Sequence, residues 1–594
     1  MSQIMSRADL EFLLFDWLRT DELFARPRYA EHSRDVVEDL LRLAEQVATD
    51  WFAPHNRKAD LEEPRFDGEK VELVPEVEPA LRAFADAGFL AAQVDEELGG
   101  LQLPSSVFNA AMAWFHAANI GTTGYALLTL ANAHLLTVHG TDEQVERWVR
   151  PMLEGRVFGT MALSEPHAGS NLADITTRAE PQEDGSYRLF GRKMWISGGD
   201  HEMGDNIVHL VLARTPGAPA GTKGISLFLV PKHLPGEDGA PAERNDVVLA
   251  GINHKMGFRG TVNTAPVLGD GAFTPGGRPG AVGWLVGELH RGLPVMFTMM
   301  NEARIGVGLG ATALGVTGYL KSLAYARERL QGRLPGADPA TPQVPLVEHA
   351  DVRRMLLAQK SYAEGALALN LYCARLVDDI ASLDDAAAVA DAERLLGVLT
   401  PVAKSWPSQW CLAANDLALQ VLGGAGYTRD FDVEQHYRDN RLNPIHEGTH
   451  GIQGQDLLGR KVVGDGGVGL GLLLDRVRAT AERSRGTGAA AYGDQLAAVA
   501  DRLVEVTGLL AGRGSATEVL ADATAYLEAT GHLVVAWLWL EQWLVVADRD
   551  DDFARGKRAA TAYFFGRELP RVGPQLDLLA AGDRVTLDLD PAWL

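Results

Sequence analysis

The sequence predicts a mainly α-helical fold with a central β domain and a further helical region towards the C-terminus. Three observations carry that reading. Apolar residues recur at three- and four-residue spacing from Leu10 to about Glu154. From about Gly159 the pattern changes to short β-rich runs between Gly/Pro turns. From about Gly283 the helical period returns. At 594 residues the chain exceeds one ordinary core, and the changes of period divide it at 1–157, 158–282, 283–462 and 463–594.

Taken in order, Ser33 to Phe52 and Val77 to Ala87 are expected helices, with the acidic, glycine-ended stretch Asp95 to Gly100 as a loop. Tyr187–Phe190, Ile207–Ala213, Ile225–Val230 and Thr264–Leu268 are expected strands. The next helical region is broken near Pro335 to Pro345. It contains Gly306, Gly308 and Gly310 at alternate positions, but no strand precedes them, so close helix packing explains them better than a dinucleotide loop. Gly464 to Gly471 reads as a linker or flexible join, and helical pattern then runs to about Pro570, including the apolar Leu533 to Val546.

Composition excludes several function classes. Hydrophobic residues make up 46% and charged residues 23%, values of a soluble globular protein. Lys and Arg number 55 against 79 Asp and Glu, a formal charge of -24 that disfavours nucleic acid and anionic lipid surfaces. Cys373 and Cys411 both fall in apolar helical patterns, which suits a reducing compartment and no disulfide framework. With no basic-then-apolar N-terminal segment and no apolar run of membrane length, the expected location is cytoplasmic, with no membrane span.

The chemistry centres on Asn443-Pro444-Ile445-His446-Glu447-Gly448-Thr449-His450-Gly451, which presents one carboxylate where the chain turns into a helix. Two readings compete. His446-Glu447-Gly448-Thr449-His450 has the H-E-x-x-H spacing of a zinc metallohydrolase, in which two histidines one turn apart bind the ion. That requires a helix already continuous at His446, and Pro444, Gly448 and Gly451 argue against one. No metal site is therefore expected. In the other reading Glu447 is a general base at a helix N-terminus.

The Glu447-Gly448-Thr449 segment resembles that of the acyl-CoA dehydrogenase family, with His446 where the family has another aromatic residue. Further segments resemble the family in chain order. Met161-Ala162-Leu163-Ser164-Glu165-Pro166-His167-Ala168-Gly169-Ser170 is similar to its Ser-Glu-Pro-x-Ala-Gly-Ser loop, and Lys193-Met194-Trp195-Ile196-Ser197 to its Trp-Ile-Ser strand. Tyr325 to Arg333 resembles its Glu-Arg-x-x-Phe-Gly segment without the phenylalanine. Gln420-Val421-Leu422-Gly423-Gly424-Ala425-Gly426-Tyr427 matches its Gln-x-x-Gly-Gly-x-Gly-aromatic turn. The stretch after Lys461 resembles a longer branch of the family with a C-terminal extension, including the methylmercaptopropionyl-CoA dehydrogenases and long-chain members.

The resemblance implies an N-terminal helical domain, a β-barrel-like middle domain, a four-helix bundle and an added helical domain. It implies FAD held by Leu163, Ser164, Trp195, Ile196, Ser197, Arg329, Gln420, Gly423, Gly424, Thr449 and Gly451, and an acyl-CoA held by Ser170, Asn301, Arg304 and Gly448. Arg329 and the glycine turn would reach the FAD of a neighbouring subunit, and the added domain favours a dimer over a tetramer. Some relatives carry their base just before the arginine of Asn301-Glu302-Ala303-Arg304; Ala303 stands there, which leaves Glu447. The implied reaction is α,β-dehydrogenation of an acyl-CoA to the trans-2-enoyl-CoA, with electrons passed to electron-transfer flavoprotein. An oxidase passing them to oxygen is the alternative within the family, and a DNA-associated flavoprotein is disfavoured by the charge.

Overall fold

The computed structural model describes residues 3–236 and 239–594, with the side chain of Asn301 outside the description. The chain forms two compact units, one of Met1–Leu41, Pro104–Ala117 and Arg304–Leu594, the other of Arg42–Leu103 and Ala118–Ala303.

In the second unit, the described residues include nine strands joined in one sheet. Its main path runs Val247–Ile252, Asn263–Leu268, Tyr187–Arg192, Ala281–Val286, Ile225–Pro231, Asn206–Arg214, Val157–Ala162. Along this path the pairing is antiparallel except for the last pair, where Val157 lies opposite Asn206 and Ala162 opposite Val211 in parallel. Strand Asn206–Arg214 is buried on both faces, which is why its sequence is apolar throughout rather than alternating. Successive side chains point to opposite sides. Val208, Leu210 and Leu212 enter a core with Leu135, Leu136, Trp148 and Met152, whereas Val211 and Ala213 enter the core between the strands with Leu189, Phe228 and Val230. Helix Ser105–His139 is interrupted at Asn119, with φ -162° and ψ 91°. The Asn119 side chain restarts it by accepting from Thr122 N–H at 3.0 Å.

The first unit is helical. Ala350–Ser382 and Ala386–Leu422 are the long bundle helices beside the Arg304-onward part of Gly292–Glu328. Gly308 lets the latter approach closely: a Cβ there would stand 2.0 Å from the Ala403 carbonyl. Pro407, four residues on, cannot donate to that carbonyl, and Asn370 Nδ2 donates to it instead at 3.2 Å. The alternating glycines thus serve helix packing, as expected.

The C-terminal helices join this unit through buried polar groups. Lys557 Nζ lies 2.7 Å from Asp9 Oδ1 and 2.8 Å from Glu364 Oε2, and donates to Gln542 Oε1 at 3.1 Å. Trp539 Nε1 donates to the Ser361 carbonyl at 3.0 Å. The flexible join expected at Gly464–Gly471 is not one. A tight turn ends at Gly467, and helix Val468–Ser484 begins directly after it. Gly469 N–H donates to Asp465 Oδ2 at 2.8 Å, and a Cβ there would lie 2.8 Å from Val398, so this glycine marks close packing. Both cysteines are buried and free. Among the described residues no helix is long and apolar enough to cross a membrane.

Candidate active site

Glu447 occupies the turn between helices Val433–Asn440 and His450–Gln455. Thr449 is the N-cap of the second helix, its hydroxyl accepting from Ile452 N–H at 3.4 Å. Glu447 has φ +51°, one of six non-glycine residues in the left-handed region among those described. Such a conformation costs about 1–3 kcal/mol unless the surroundings impose it, and it clusters at functional positions. Gly448 follows at φ +88°, and a Cβ there would meet Gln453 Nε2 at 2.6 Å. Gln453 Nε2 in turn donates to the Glu447 carbonyl at 2.9 Å, fixing the turn from the helix side.

Opposing effects set the protonation of the half-buried Glu447 carboxyl. Burial raises its pKa above the ordinary value, and the charges of Lys404 and Arg304 pull it back down. Arg304 is only 5% exposed and donates to Asp456 Oδ2 at 2.7 Å. The guanidinium expected on the acyl-CoA is thus committed to a buried carboxylate beside the base. Lys404, fully buried, donates to the Asn443 and Gly448 carbonyls, each at 2.7 Å. Burial lowers its pKa to about 7, with Glu447 opposing and Arg304 reinforcing that fall. Sequence reasoning missed Lys404. Its signal was a lone cation in the apolar helical run Leu399 to Trp410.

The H-E-x-x-H spacing does not lie on one helix. His450 is the first helical residue, and His446 precedes the cap. His446 Nε2 lies 3.0 Å from Asn443 Oδ1, while burial holds His450 down at about 4, with Lys404 and Arg441 adding to the effect. Among the described residues no three His, Cys, Asp or Glu side chains are grouped to hold a metal.

In the sheet-bearing unit, the Leu163-Ser164 and Trp195-Ile196-Ser197 segments are brought together. Met194 N–H donates to the Ser164 carbonyl at 3.1 Å. Lys193 Nζ, buried, donates to the Leu163 and Leu212 carbonyls at 3.1 and 2.8 Å and to Glu165 Oε1 at 3.1 Å. The same Glu165 carboxylate accepts from the backbone N–H and hydroxyl of both Thr176 and Thr177, at 2.6–3.0 Å. Burial alone would raise Glu165, but Lys193 and these donors outweigh it and hold the carboxyl at about 2. The clamp presents Trp195 at φ +66° and 60% exposed, an indole held out of the core. Ile196 is buried, its carbonyl accepting from Thr264 Oγ1 at 2.9 Å, and Ser197 Oγ accepts from Asn263 Nδ2 at 3.3 Å. Ser170 is exposed on the same loop as Ser164.

Arg329 and the Gln420–Gly424 turn lie at neighbouring helix ends of the bundle. Val421 and Leu422 share a small core with Ala326, against which Tyr325, Leu346 and Ala425 pack. Arg329, Gln420, Gly423 and Gly424 are all exposed, and Gly423 has φ +62° and ψ -136°, a conformation reserved for glycine.

Four family profiles match in chain order: "Acyl-CoA dehydrogenase, N-terminal domain" over residues 35–156, "middle domain" over 160–268, "C-terminal domain" over 290–461, and "Acetyl-CoA dehydrogenase C-terminal like" over 473–590. A 3-methylmercaptopropionyl-CoA dehydrogenase of Ruegeria pomeroyi is 35% identical over 94% of this chain and 95% of that protein. A broad-specificity linear acyl-CoA dehydrogenase of Mycobacterium tuberculosis is 34% identical over 98% of each. The crystal structure of an acyl-CoA dehydrogenase complexed with FAD from Bacillus anthracis has the same fold, with a TM-score of 0.74 at 18% identity over 96% of this chain and 91% of that one. Relatives this similar over nearly the whole length establish that the chain belongs to the acyl-CoA dehydrogenase family, FAD-dependent oxidoreductases acting on a CH–CH bond.

Proposed function

We infer that this enzyme removes the α and β hydrogens of an acyl-CoA to give the trans-2-enoyl-CoA, with Glu447 as the base and electron-transfer flavoprotein as the electron acceptor. The observation that carries the reading is the Glu447 turn: a carboxylate on a left-handed residue, partly desolvated and flanked by two buried cations. The relatives named for 3-methylmercaptopropionyl-CoA and linear acyl-CoAs support an unbranched acyl chain as substrate.

The residues present fit FAD. An exposed indole beside the Ser164 and Ser197 hydroxyls suits a flat ring rich in acceptors, and an exposed arginine beside an open Gly-Gly pair suits a pyrophosphate. Leu163, Ser164, Trp195, Ile196, Ser197, Thr449 and Gly451 would hold the cofactor, with Arg329, Gln420, Gly423 and Gly424 serving that of a second copy in a homodimer. Tyr427, 95% exposed next to that glycine turn, supports such a covering partner. When bound, FAD supplies the acceptor for the β-hydrogen. Ser170 and Gly448 would contact the acyl-CoA, joined by Asn301.

The chain's own part is proton removal. The Glu447 carboxylate takes the α-proton, and partial burial raises its basicity towards the working pH. Its orientation is set by the turn, so little reorganisation is required when the substrate arrives.

The test is an absorbance spectrum of the purified enzyme followed by anaerobic titration with straight-chain acyl-CoAs. Bleaching of flavin bands is expected, with turnover through electron-transfer flavoprotein. Glu447→Gln should keep FAD and ligand binding and lose turnover; retained turnover removes the assignment. Stoichiometric peroxide in air would make the enzyme an oxidase.

A further inference from the structure

We propose that Lys404 is the positioning residue of the Glu447 turn, a buried ammonium that ties its two ends together and sets the charge beside the base. This rests on the reading of Glu447 as the base.

Lys404 lies on helix Ala386–Leu422 between two prolines, in a run that is otherwise apolar. An isolated buried ammonium is costly, and among the described residues Lys404 has no carboxylate as an ion-pair partner. Its donors go to backbone: the Asn443 carbonyl on one side of Pro444–Glu447 and the Gly448 carbonyl on the other, each at 2.7 Å. One side chain therefore closes the loop that carries Glu447 in its left-handed conformation. A lysine is the group for this task, because its compact head offers three donors on a long stem.

The far side of the loop is fixed by buried amides. Asn443 Nδ2 donates to Asn440 Oδ1 at 2.9 Å, Asn440 Nδ2 to Asn415 Oδ1 at 2.7 Å, and Asn415 Nδ2 to the Leu314 carbonyl at 2.8 Å. This ladder holds Asn443 by its side chain while Lys404 holds it by its carbonyl. It also presents Asn443 Oδ1 as an acceptor, so His446 Nε2, 3.0 Å away, carries a hydrogen.

The charged and titratable groups around Glu447 come from several elements. Arg304 faces it from the Gly292–Glu328 helix and is itself tied to Asp456, which also lies 3.5 Å from Arg460. His450, on the following helix, feels Lys404 and Arg441. Arg304 is therefore partly neutralised by a carboxylate, whereas Lys404 is not. Lys404 is the cation whose removal would most change Glu447.

The test uses the holoenzyme as Lys404→Met, Lys404→Gln and Lys404→Arg, with Glu447→Gln as reference. Two quantities are followed against pH: flavin bleaching by butyryl-CoA and longer straight-chain acyl-CoAs, and the infrared C=O band of protonated Glu447, assigned by its loss in Glu447→Gln. Without the ammonium, the Met and Gln variants should titrate Glu447 upward by about one pH unit or more. Bleaching at neutral pH should then slow at least about 10-fold and recover as pH rises. Lys404→Arg keeps the charge and should shift less than either. An unmoved infrared titration in a flavin-replete Met or Gln variant overturns the proposal; if Lys404→Met does not fold, Lys404→Gln, which can still donate to one carbonyl, decides alone. Failure of the base assignment is separately visible, because Glu447→Gln would still bleach while the infrared titration continues to report on Lys404.

Discussion

Removing one partner of the Glu165–Lys193 pair should loosen the Trp195 segment far more than removing both. The Glu165 side chain is 1% exposed, and its carboxyl is held at about 2 against an ordinary 4.5. At about 1.4 kcal/mol per pKa unit, the clamp favours its ionised form by about 3 kcal/mol. Lys193 offsets this: burial lowers it from 10.5 to about 8, with Glu165 opposing, so the intact pair is close to break-even while an orphaned partner is not. Glu165→Gln and Lys193→Met should each speed hydrogen exchange in peptides covering 157–164 and 187–197 by about 100-fold, the equivalent of about 3 kcal/mol of lost local stability. The double variant should fall well short of the sum. Because the folded pKa of Glu165 lies below its ordinary value, its contribution is complete above about 4.5 and is lost as pH falls through about 2. Wild-type protection of the same peptides should decline over that window. Protection unchanged in either single variant would refute the clamp.

Two further substitutions probe the bundle. Gly308→Ala should cost about 1–3 kcal/mol by forcing the helix away from Ala403. Gly306→Ala, whose Cβ meets nothing within 4 Å, should be neutral or stabilising by up to about 1 kcal/mol. Thermal denaturation of the pair checks both, and equal losses would sink the packing account. Lys557→Met leaves the Asp9 and Glu364 carboxylates without their shared cation, although Lys360 still pairs with Glu364. It should cost about 3–5 kcal/mol in denaturant titrations of the full chain, and part should return in Lys557→Met with Asp9→Asn. No return in the double variant would place the cost in packing against the Phe12 and Trp539 rings.

Periodicity and breakers made the order of elements legible. The expected strands at 187–190, 207–213, 225–230 and 264–268 lie within observed strands, because a two-residue pattern or a short apolar run between turn residues is a local property. The turn at Glu447 was legible for the same reason: Pro444, Gly448 and Gly451 disfavour a continuous helix whatever surrounds them. Gly464–Gly471 misled, because a glycine cluster reads alike whether it supplies freedom or close approach. Only the position of Val398 against Gly469 distinguishes the two.

The sequence by itself determined the helix, sheet, helix succession, the place of the carboxylate and, through motifs in order, the family. The tertiary structure alone decided which polar side chains are buried and what they meet. Lys404 closes on two carbonyls 39 and 44 residues downstream, Arg304 on a carboxylate 152 residues away, and Lys193 on a carbonyl 30 residues back. A buried charge is tolerable only where distant chain segments supply its partners, and no pattern local to a lysine or an arginine encodes which segments those are.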